Sequence, residues 1–290
     1  MNARNLQSYS PSGKLSVSLV WYFVFFSAVI CAIAYLLSLL IIQFPQVFIS
    51  VPVFFLKAFI VGLCSVYLIR WSKIRNSGIG FLTGLLLGVL SWLSGWLFLA
   101  PGMLKSFDIH LSTSELLNKP ELLIENLHLL VTSGWYQILD YRINGFVIQG
   151  AWIIEMAALI VYPAYKGFDT AKNRLFCEGC NQWAEDQGGM LAFYYQAEDK
   201  LIEDFKSGSF EFMDAAEAIY NVPMKDYYQI NSEVCVACND RFALSLYQMK
   251  KATDIDKPKP RLIHDKLLVK RPYFQHFLML RSQFPAPEES

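Results

Sequence analysis

The sequence predicts an α-helical transmembrane bundle of four helices joined to a small α+β, zinc-ribbon-like cytosolic domain. The 290-residue chain is 54% hydrophobic with a mean hydropathy of +0.31, which is high for a water-soluble protein. Of its 50 charged side chains, only 15 precede residue 166, so the apolar surplus lies in the first half. Four of the six cysteines form two CxxC pairs in the second half.

These contrasts divide the chain into parts of different physical character. The predicted parts are a cytosolic N-terminal tail (1–18), a transmembrane domain (19–165) with an external helical segment (102–143), a cytosolic four-cysteine metal-binding domain (166–284) and a disordered tail (285–290). The formal net charge is zero, so no overall basic character favours nucleic acid as a partner. The lipid bilayer is the first expected partner.

The first two predicted helices share one long uncharged stretch. From Leu15 to Leu56 there is no acidic or basic residue, far more than the roughly 20 apolar residues that cross a bilayer. Pro45 and Pro52 interrupt this stretch, which predicts separate helices over about 19–44 and 53–70. A cleaved signal peptide is the alternative to the first helix. Its apolar stretch is longer than a signal h-region, which favours a retained anchor.

Two further apolar stretches predict helices over about 79–101 and 144–165. In the first of them, Gly80, Gly84 and Gly88 recur every four residues. Small residues at this spacing allow the backbones of membrane helices to approach closely. We interpret the glycines as helix packing within the chain, with formation of a homodimer through the same face as the alternative.

Two ionisable side chains lie within the predicted membrane helices. Glu155 is near the middle of the fourth helix, and a charge there costs about 3 kcal/mol or more, so we expect it to face the bundle or to be protonated. Lys57 lies near the outer end of the second helix and is expected to extend outward. The predicted limits place the two at depths that differ by roughly 10 Å. We interpret Glu155 as a structural hydrogen-bonding group, with proton or solute handling as the alternative.

The basic residues predict the orientation of the helices. They form three clusters on one side of the predicted bundle, which are Arg4 with Lys14, Arg70 with Lys73 and Arg75, and Lys166 with Lys172 and Arg174. Because cytoplasmic flanks are enriched in Lys and Arg, both termini are predicted to be cytoplasmic and 102–143 external. Ser112 and Glu115 have capping-box spacing, which predicts one or two short helices on the outer surface or over the bundle. A lid over a binding cavity is the alternative.

The metal-site prediction depends on two cysteine pairs, Cys177 with Cys180 and Cys235 with Cys238, separated by 54 residues. On the reducing side of a membrane such pairs favour metal over disulfides, since four soft thiolates satisfy tetrahedral Zn²⁺. We therefore predict structural zinc, with rubredoxin-like iron, a redox-active dithiol and unrelated cysteines as alternatives. Gly179 is expected to supply the backbone freedom of the first turn.

Secondary-structure patterns around the cysteines predict a small mixed domain. We predict a helix over 198–220 and strands over 190–195, 227–236, 242–249 and 262–269. Charge is segregated, because residues 178–217 hold ten acids and two bases and residues 241–281 hold ten bases and three acids. We expect the basic part to contact anionic lipid headgroups or the acidic part of the same domain.

Two short segments carry a resemblance to a known group of proteins. They are Lys73-Ile74-Arg75-Asn76 before the glycine-rich helix, and Phe176 through Trp183 around the first cysteine pair. With these segments the chain resembles uncharacterised bacterial inner-membrane proteins that join a helical bundle to a cytosolic zinc-ribbon-like domain. The resemblance implies a multi-pass protein of the bacterial inner membrane and implies no activity.

The chain contains no Walker A, HExxH, G-x-S-x-G or dinucleotide-binding motif, so no enzyme class is predicted. The first hypothesis is a membrane-anchored protein whose cytosolic structural-zinc domain mediates protein–protein interaction or assembly. One alternative is a small transporter or channel component that uses Glu155. Another is a membrane enzyme with a redox-active dithiol.

Overall fold

The computed structural model describes residues 7–119, 121–139, 141–218, 226–238, 240–250 and 259–282. The chain forms two compact units. The helical unit is Ser12–Asn173, and the sheet unit combines the described residues up to Pro11 with those from Arg174 onward.

Within the described residues, four helices of the helical unit are long and apolar enough to cross a membrane, which confirms the four predicted apolar helices. In chain order the elements of this unit are α1 (Leu19–Gln43), α2 (Val47–Trp71), α3 (Ser77–Lys105), α4 (Thr113–Asn118), α5 (Glu121–Ser133), β1 (Gln137–Ile138), β2 (Tyr141–Arg142) and α6 (Gly145–Asn173). The membrane-crossing candidates are α1, α2, α3 and α6.

Helix α2 begins six residues earlier than predicted, at Val47 rather than near residue 53. The N–H groups of Ile49 and Ser50 donate to the carbonyl of Gln46 at 3.0 and 2.9 Å, so a complete turn forms before Pro52. A proline this close to the start of a helix removes a single internal hydrogen bond, which the rest of the helix tolerates. Pro52 therefore lies inside α2 and does not end it.

The predicted glycine stripe lies against α6 of the same chain. A Cβ atom on Gly80, Gly84 or Gly88 would collide with the backbone carbonyl of Gly167, Pro163 or Leu159, respectively. Pro163 has no N–H, so it leaves the Leu159 carbonyl without its usual helical donor, and Gly88 packs at that position. The three glycines thus allow close backbone contact between α3 and α6.

The segment 102–143, which was predicted to be external, forms two short helices among its described residues, α4 and α5. The backbone N–H of Glu115 donates to the Ser112 hydroxyl at 3.2 Å and its carboxylate accepts from the Ser112 N–H at 2.7 Å, which confirms the capping box. Leu130 and Val131 of α5 belong to the same buried cluster as Met103 of α3. The helices therefore cover one end of the bundle core, whereas Pro120 lies outside the described residues.

The sheet unit confirms the predicted α+β domain. In chain order its elements are β3 (Phe176–Cys177), β4 (Gln182–Trp183), β5 (Glu185–Tyr194), α7 (Glu198–Ser207), a 3₁₀ turn (Glu211–Ala215), β6 (Glu217–Ala218), β7 (Tyr227–Val234), β8 (Arg241–Lys250), β9 (Lys259–Lys270) and α8 (Arg271–Arg281). As far as the structure describes the unit, β6-β5-β7-β8-β9 form an antiparallel sheet and β3-β4 a separate hairpin.

The helix predicted over 198–220 is shorter than expected. It ends at Ser207 because Gly208 follows in the left-handed conformation, with φ of 72°, and a 3₁₀ turn takes its place. Residues 219 and 220 lie outside the described part, as does the tail predicted over 285–290.

One face of the five-stranded sheet is covered by α7 and α8. Alternate residues of β7 are buried, and they share one apolar core with Leu201 and Phe205 of α7 and Phe274 and Phe277 of α8. The rings of Phe242 and Phe274 stack with centroids 4.0 Å apart. Helix α8 had no counterpart among the predicted elements, and its two inward phenylalanines hold it on the sheet.

The start of the described chain pairs with β9 and is not a separate tail. Ser8 pairs antiparallel with Leu267, and the N–H of Tyr9 donates to the Lys266 carbonyl at 2.9 Å. The Tyr9 hydroxyl accepts the N–H of Phe176 at 3.2 Å. Residues 7–9 thus connect the far edge of the sheet to the strand that carries the first cysteine.

Candidate metal centre

The structure brings both cysteine pairs together at one end of the sheet unit. Cys177 ends strand β3, and Cys235 directly follows strand β7, so the first cysteine of each pair is fixed by a strand. Both are buried, whereas Cys180 is half-buried and Cys238 exposed on the turns that follow. All four are free thiols and no disulfide joins them. Each pair therefore contributes one inner and one outer sulfur.

The spacing of the sulfurs fits one tetrahedral metal ion. The four Sγ atoms lie within 4.8 Å of one another, and those of Cys177 and Cys238 are 3.8 Å apart. Four Zn–S bonds of about 2.3 Å in a tetrahedron place the sulfurs about 3.8 Å apart. The donor set, its geometry and the absence of a disulfide all fit a site that holds a metal ion.

Hydrogen bonds to the inner sulfurs prepare the site for negative charge. The N–H of Cys180 donates to the sulfur of Cys177, and the N–H of Cys238 donates to that of Cys235. Burial opposes ionisation of Cys235, but donors from Cys238 and Cys177 outweigh it and lower its pKa to about 6. The Gln182 amide, 3.8 Å from the Cys235 sulfur, adds to this effect.

Two of the other cysteines resist ionisation when no cation is bound. Hydrogen bonding with the Cys238 thiol, together with burial, raises the pKa of Cys180 to about 12. Burial also raises the pKa of Cys177. A bound cation would stabilise the thiolate forms of Cys177 and Cys180, which the protein alone disfavours.

Each cysteine turn is closed by a backbone hydrogen bond between its flanking residues. The N–H of Ala184 donates to the carbonyl of Leu175 at 2.9 Å. In the second turn, the N–H of Cys235 donates to the carbonyl of Arg241 at 3.1 Å. In the first turn Asn181, with φ of 52°, adopts the left-handed conformation. We expected Gly179 to take that role, but asparagine also tolerates this conformation and lies at the position that requires it.

A buried ion pair supports the first cysteine turn. The carboxylate of Glu233 pairs with the ammonium of Lys266, and its other oxygen accepts the N–H of Leu175 at 2.7 Å. Glu233 lies on β7 and Leu175 two residues before Cys177, so the pair joins the sheet to the start of the turn. Sequence reasoning missed both residues, because they are 33 positions apart and meet only through strand pairing.

The structure places Lys57 and Glu155 together in the helical unit. Both line one small cavity between the helices, and their charges interact. Lys57 is 7% exposed and does not extend outward as expected. The cavity is also lined by Ser50, Gly95 and Tyr136. Gly95 lies on the same face of α3 as the glycine stripe, seven residues after Gly88, whereas no sequence pattern marked Ser50.

No protein-family model matches the chain, and no curated protein or solved structure is significantly similar to it.

Proposed function

We propose that the chain is a multi-pass protein of the bacterial inner membrane whose cytosolic, zinc-ribbon-like domain binds a partner protein. One observation carries the proposal, which is the convergence of four free thiols whose sulfur atoms lie within 4.8 Å of one another. Paired cysteine turns of this kind most often hold structural zinc. A closed site of four sulfurs leaves no open position for a substrate, which favours a structural over a catalytic ion.

The second cysteine turn offers a contact surface for the partner. Val236, between Cys235 and Cys238, is 55% exposed although it is apolar. Metal bonds on both sides would hold this side chain rigidly, which reduces the entropy lost when a partner binds. The turn of the first pair presents Glu178 and Gly179 in the corresponding place.

Elemental analysis of the complete chain tests the metal. The chain is purified in detergent with a thiol reductant, and the metal content per chain is measured by mass spectrometry. We expect about one zinc ion per chain, in line with a single four-thiolate site. One iron ion per chain in place of zinc would indicate a rubredoxin-like centre. A chain without any transition metal would contradict the proposal.

Site-specific photo-crosslinking in cells tests the partner. A photoreactive residue at position 236 should give one discrete adduct, and the same residue at the exposed position 217 serves as the control. The adduct at 236 should disappear in a Cys235→Ser background while the protein is still present in the membrane. The interaction role is wrong if position 236 gives no adduct, or if the control gives the same one.

Thiol labelling distinguishes the redox alternative. A structural site keeps all four thiols protected until the metal is removed by a chelator. A redox dithiol would instead show reversible oxidation of Cys177 and Cys180 with no change in metal content.

A further inference from the structure

A small cavity lies where the four long helices meet. Its volume is about 30 Å³. Polar or charged side chains reach it from three of these helices and from the segment before β1, and they are Ser38 of α1, Ser50 and Lys57 of α2, Glu155 of α6 and Tyr136. Helix α3 contributes Gly95.

Lys57 and Glu155 lie at the same depth. Each is ten residues from the first residue of its helix, Val47 in α2 and Gly145 in α6. At 1.5 Å per residue both are about 15 Å from that end. The depth difference expected from the sequence arose from the late predicted start of the second helix. With the observed start, both side chains line the same cavity.

The bundle accommodates the lysine by leaving out a side chain. Lys57 is 7% exposed, and a Cβ atom on Gly95 would collide with its ammonium nitrogen. The hydroxyl of Ser38 donates to the Gly95 carbonyl at 3.4 Å, which holds α1 and α3 together beside the ammonium. A buried ammonium without a partner is costly, and a counter-charge close by stabilises it.

The charges are close but are not joined directly. They interact electrostatically, yet the ion pairs of the described residues do not include one between Lys57 and Glu155. The Ser50 hydroxyl is also buried, and among the described residues it has no hydrogen-bond partner. Buried polar groups of this kind are usually satisfied by ordered water.

The cavity has the right size for water. About 10–15 Å³ suffices for one molecule, so about 30 Å³ holds at least one. The lining supplies donors in Lys57, Ser50 and Tyr136 and acceptors in the Glu155 carboxylate, which meets the requirement for two to four polar partners. The remaining lining residues from α1 and α3 carry no charge.

We propose that this cavity binds water that bridges the Lys57 ammonium and the Glu155 carboxylate, and that the bridged pair holds α2, α3 and α6 together. The water completes the hydrogen bonding of both charges and of Ser50. The site is thus a closed structural centre of the bundle, independent of what the sheet unit binds.

A double-mutant cycle tests the pair in the complete chain in detergent. Lys57→Met and Glu155→Gln should each lower the thermal midpoint, because each leaves one charge unpaired. The midpoint loss of the double variant should be smaller than the sum of the two single losses. Lys105→Met and Glu125→Gln, at exposed positions, are the matched controls and should leave the midpoint unchanged. Additive losses in the double variant would overturn the proposal.

Gly95→Ala is a second variant that keeps both charges. It should lower the midpoint of the otherwise unaltered chain but cause no further loss in the Lys57→Met background, because the added methyl group no longer meets an ammonium there. A Gly95→Ala loss that persists in the Lys57→Met background would contradict the assigned packing.

Water-edited solid-state NMR on ¹⁵N-lysine-labelled protein tests the water itself. The Nζ signal that disappears in Lys57→Met should receive magnetisation from water although the side chain is buried. The transfer should be lost in Glu155→Gln if the carboxylate holds the water in place. A Lys57 signal that receives none in the unaltered protein would show a dry site and overturn the proposal.

Discussion

The two cysteines of each pair differ in burial, and this difference determines how much each contributes to the metal centre. Cys235 is fully buried and its sulfur accepts several hydrogen bonds, whereas Cys238 is exposed. An inner sulfur is held by the fold before metal binds, and an outer sulfur lies on a turn that the metal itself must fix. Loss of the inner sulfur should therefore harm both binding and folding.

Cys235→Ser is the first test at this scale. We expect the zinc content of the purified chain to fall from about one per chain to less than half, because three sulfurs hold the ion much more weakly than four. The sheet unit should also become sensitive to protease. Cys31→Ser, in α1 of the helical unit, is the matched control and should retain the metal. Equal metal content in both variants would exclude a role for Cys235 as ligand.

His264 predicts how stability depends on pH. Burial, and then the nearby Lys206, lowers the pKa of this imidazole, while Asp265 opposes the shift. A base with a lowered pKa in the folded state binds protons more readily when unfolded, so its effect appears on the acid side. The free energy of unfolding should fall as the pH decreases through about 6.5, the ordinary pKa of histidine. At higher pH, His264 should have no effect on it.

The replacement His264→Gln should reduce this acid sensitivity. The readout is the thermal midpoint of the complete chain across the acid range, compared with the exposed His276→Gln as control. Metal loss at low pH affects all three proteins alike, so the difference between them reports His264. Identical pH profiles for the two variants would contradict the assignment.

Single residues show which parts of the site are readable from sequence. The cysteines are readable because CxxC is a local pattern with one main chemical use. Asn181 and Glu233 are not, because the first replaces an expected glycine and the second acts through a partner on another strand. The role of Lys57 was missed because it depends on where α2 begins.

At the scale of elements, the contact between α3 and α6 makes the clearest prediction. Gly88 has no room for a methyl group, because its Cβ would collide with the Leu159 carbonyl. A Cβ atom added at Gly150, on α6, would have no other atom within 4 Å. The two glycines therefore provide a matched pair for the same substitution.

Gly88→Ala should destabilise the helical unit by about 1–3 kcal/mol, the usual cost of overpacking. Gly150→Ala should be neutral, or stabilising by up to about 1 kcal/mol, since alanine is the better helix former. Equilibrium unfolding in detergent measures both. Equal effects of the two changes would show that the close approach of α3 and α6 is absent in the protein.

The elements themselves were predictable to different degrees. Long apolar stretches identify α1, α3 and α6 because hydrophobicity is local and strong, although α6 continues eight residues past the predicted end at Tyr165 into charged sequence. Four strands of the sheet were found from composition, whereas β6 fell within the predicted helix over 198–220 and the pairing of residues 7–9 with β9 was not predicted. Three residues carry too little pattern, and their partner lies at the other end of the chain.

At the scale of the whole molecule, the metal chemistry and the membrane orientation depend on each other. Free thiols in pairs persist where the compartment is reducing, and in an oxidising compartment the same pairs tend to form disulfides. Four membrane-crossing helices would put both ends of the chain on one side. The basic residues around the connection between α2 and α3, Arg70, Lys73 and Arg75, predict that this side is cytoplasmic.

Single-cysteine labelling in intact cells decides the orientation. Ser114→Cys, exposed on α4, should react with a membrane-impermeant maleimide, whereas Glu217→Cys, exposed on β6, should react only after the cells are opened. The unaltered protein corrects for labelling of its own thiols. The reverse pattern would place Cys177, Cys180, Cys235 and Cys238 in an oxidising compartment. Zinc would then have to compete with disulfide formation, and the proposed metal-stabilised domain would lose its chemical basis.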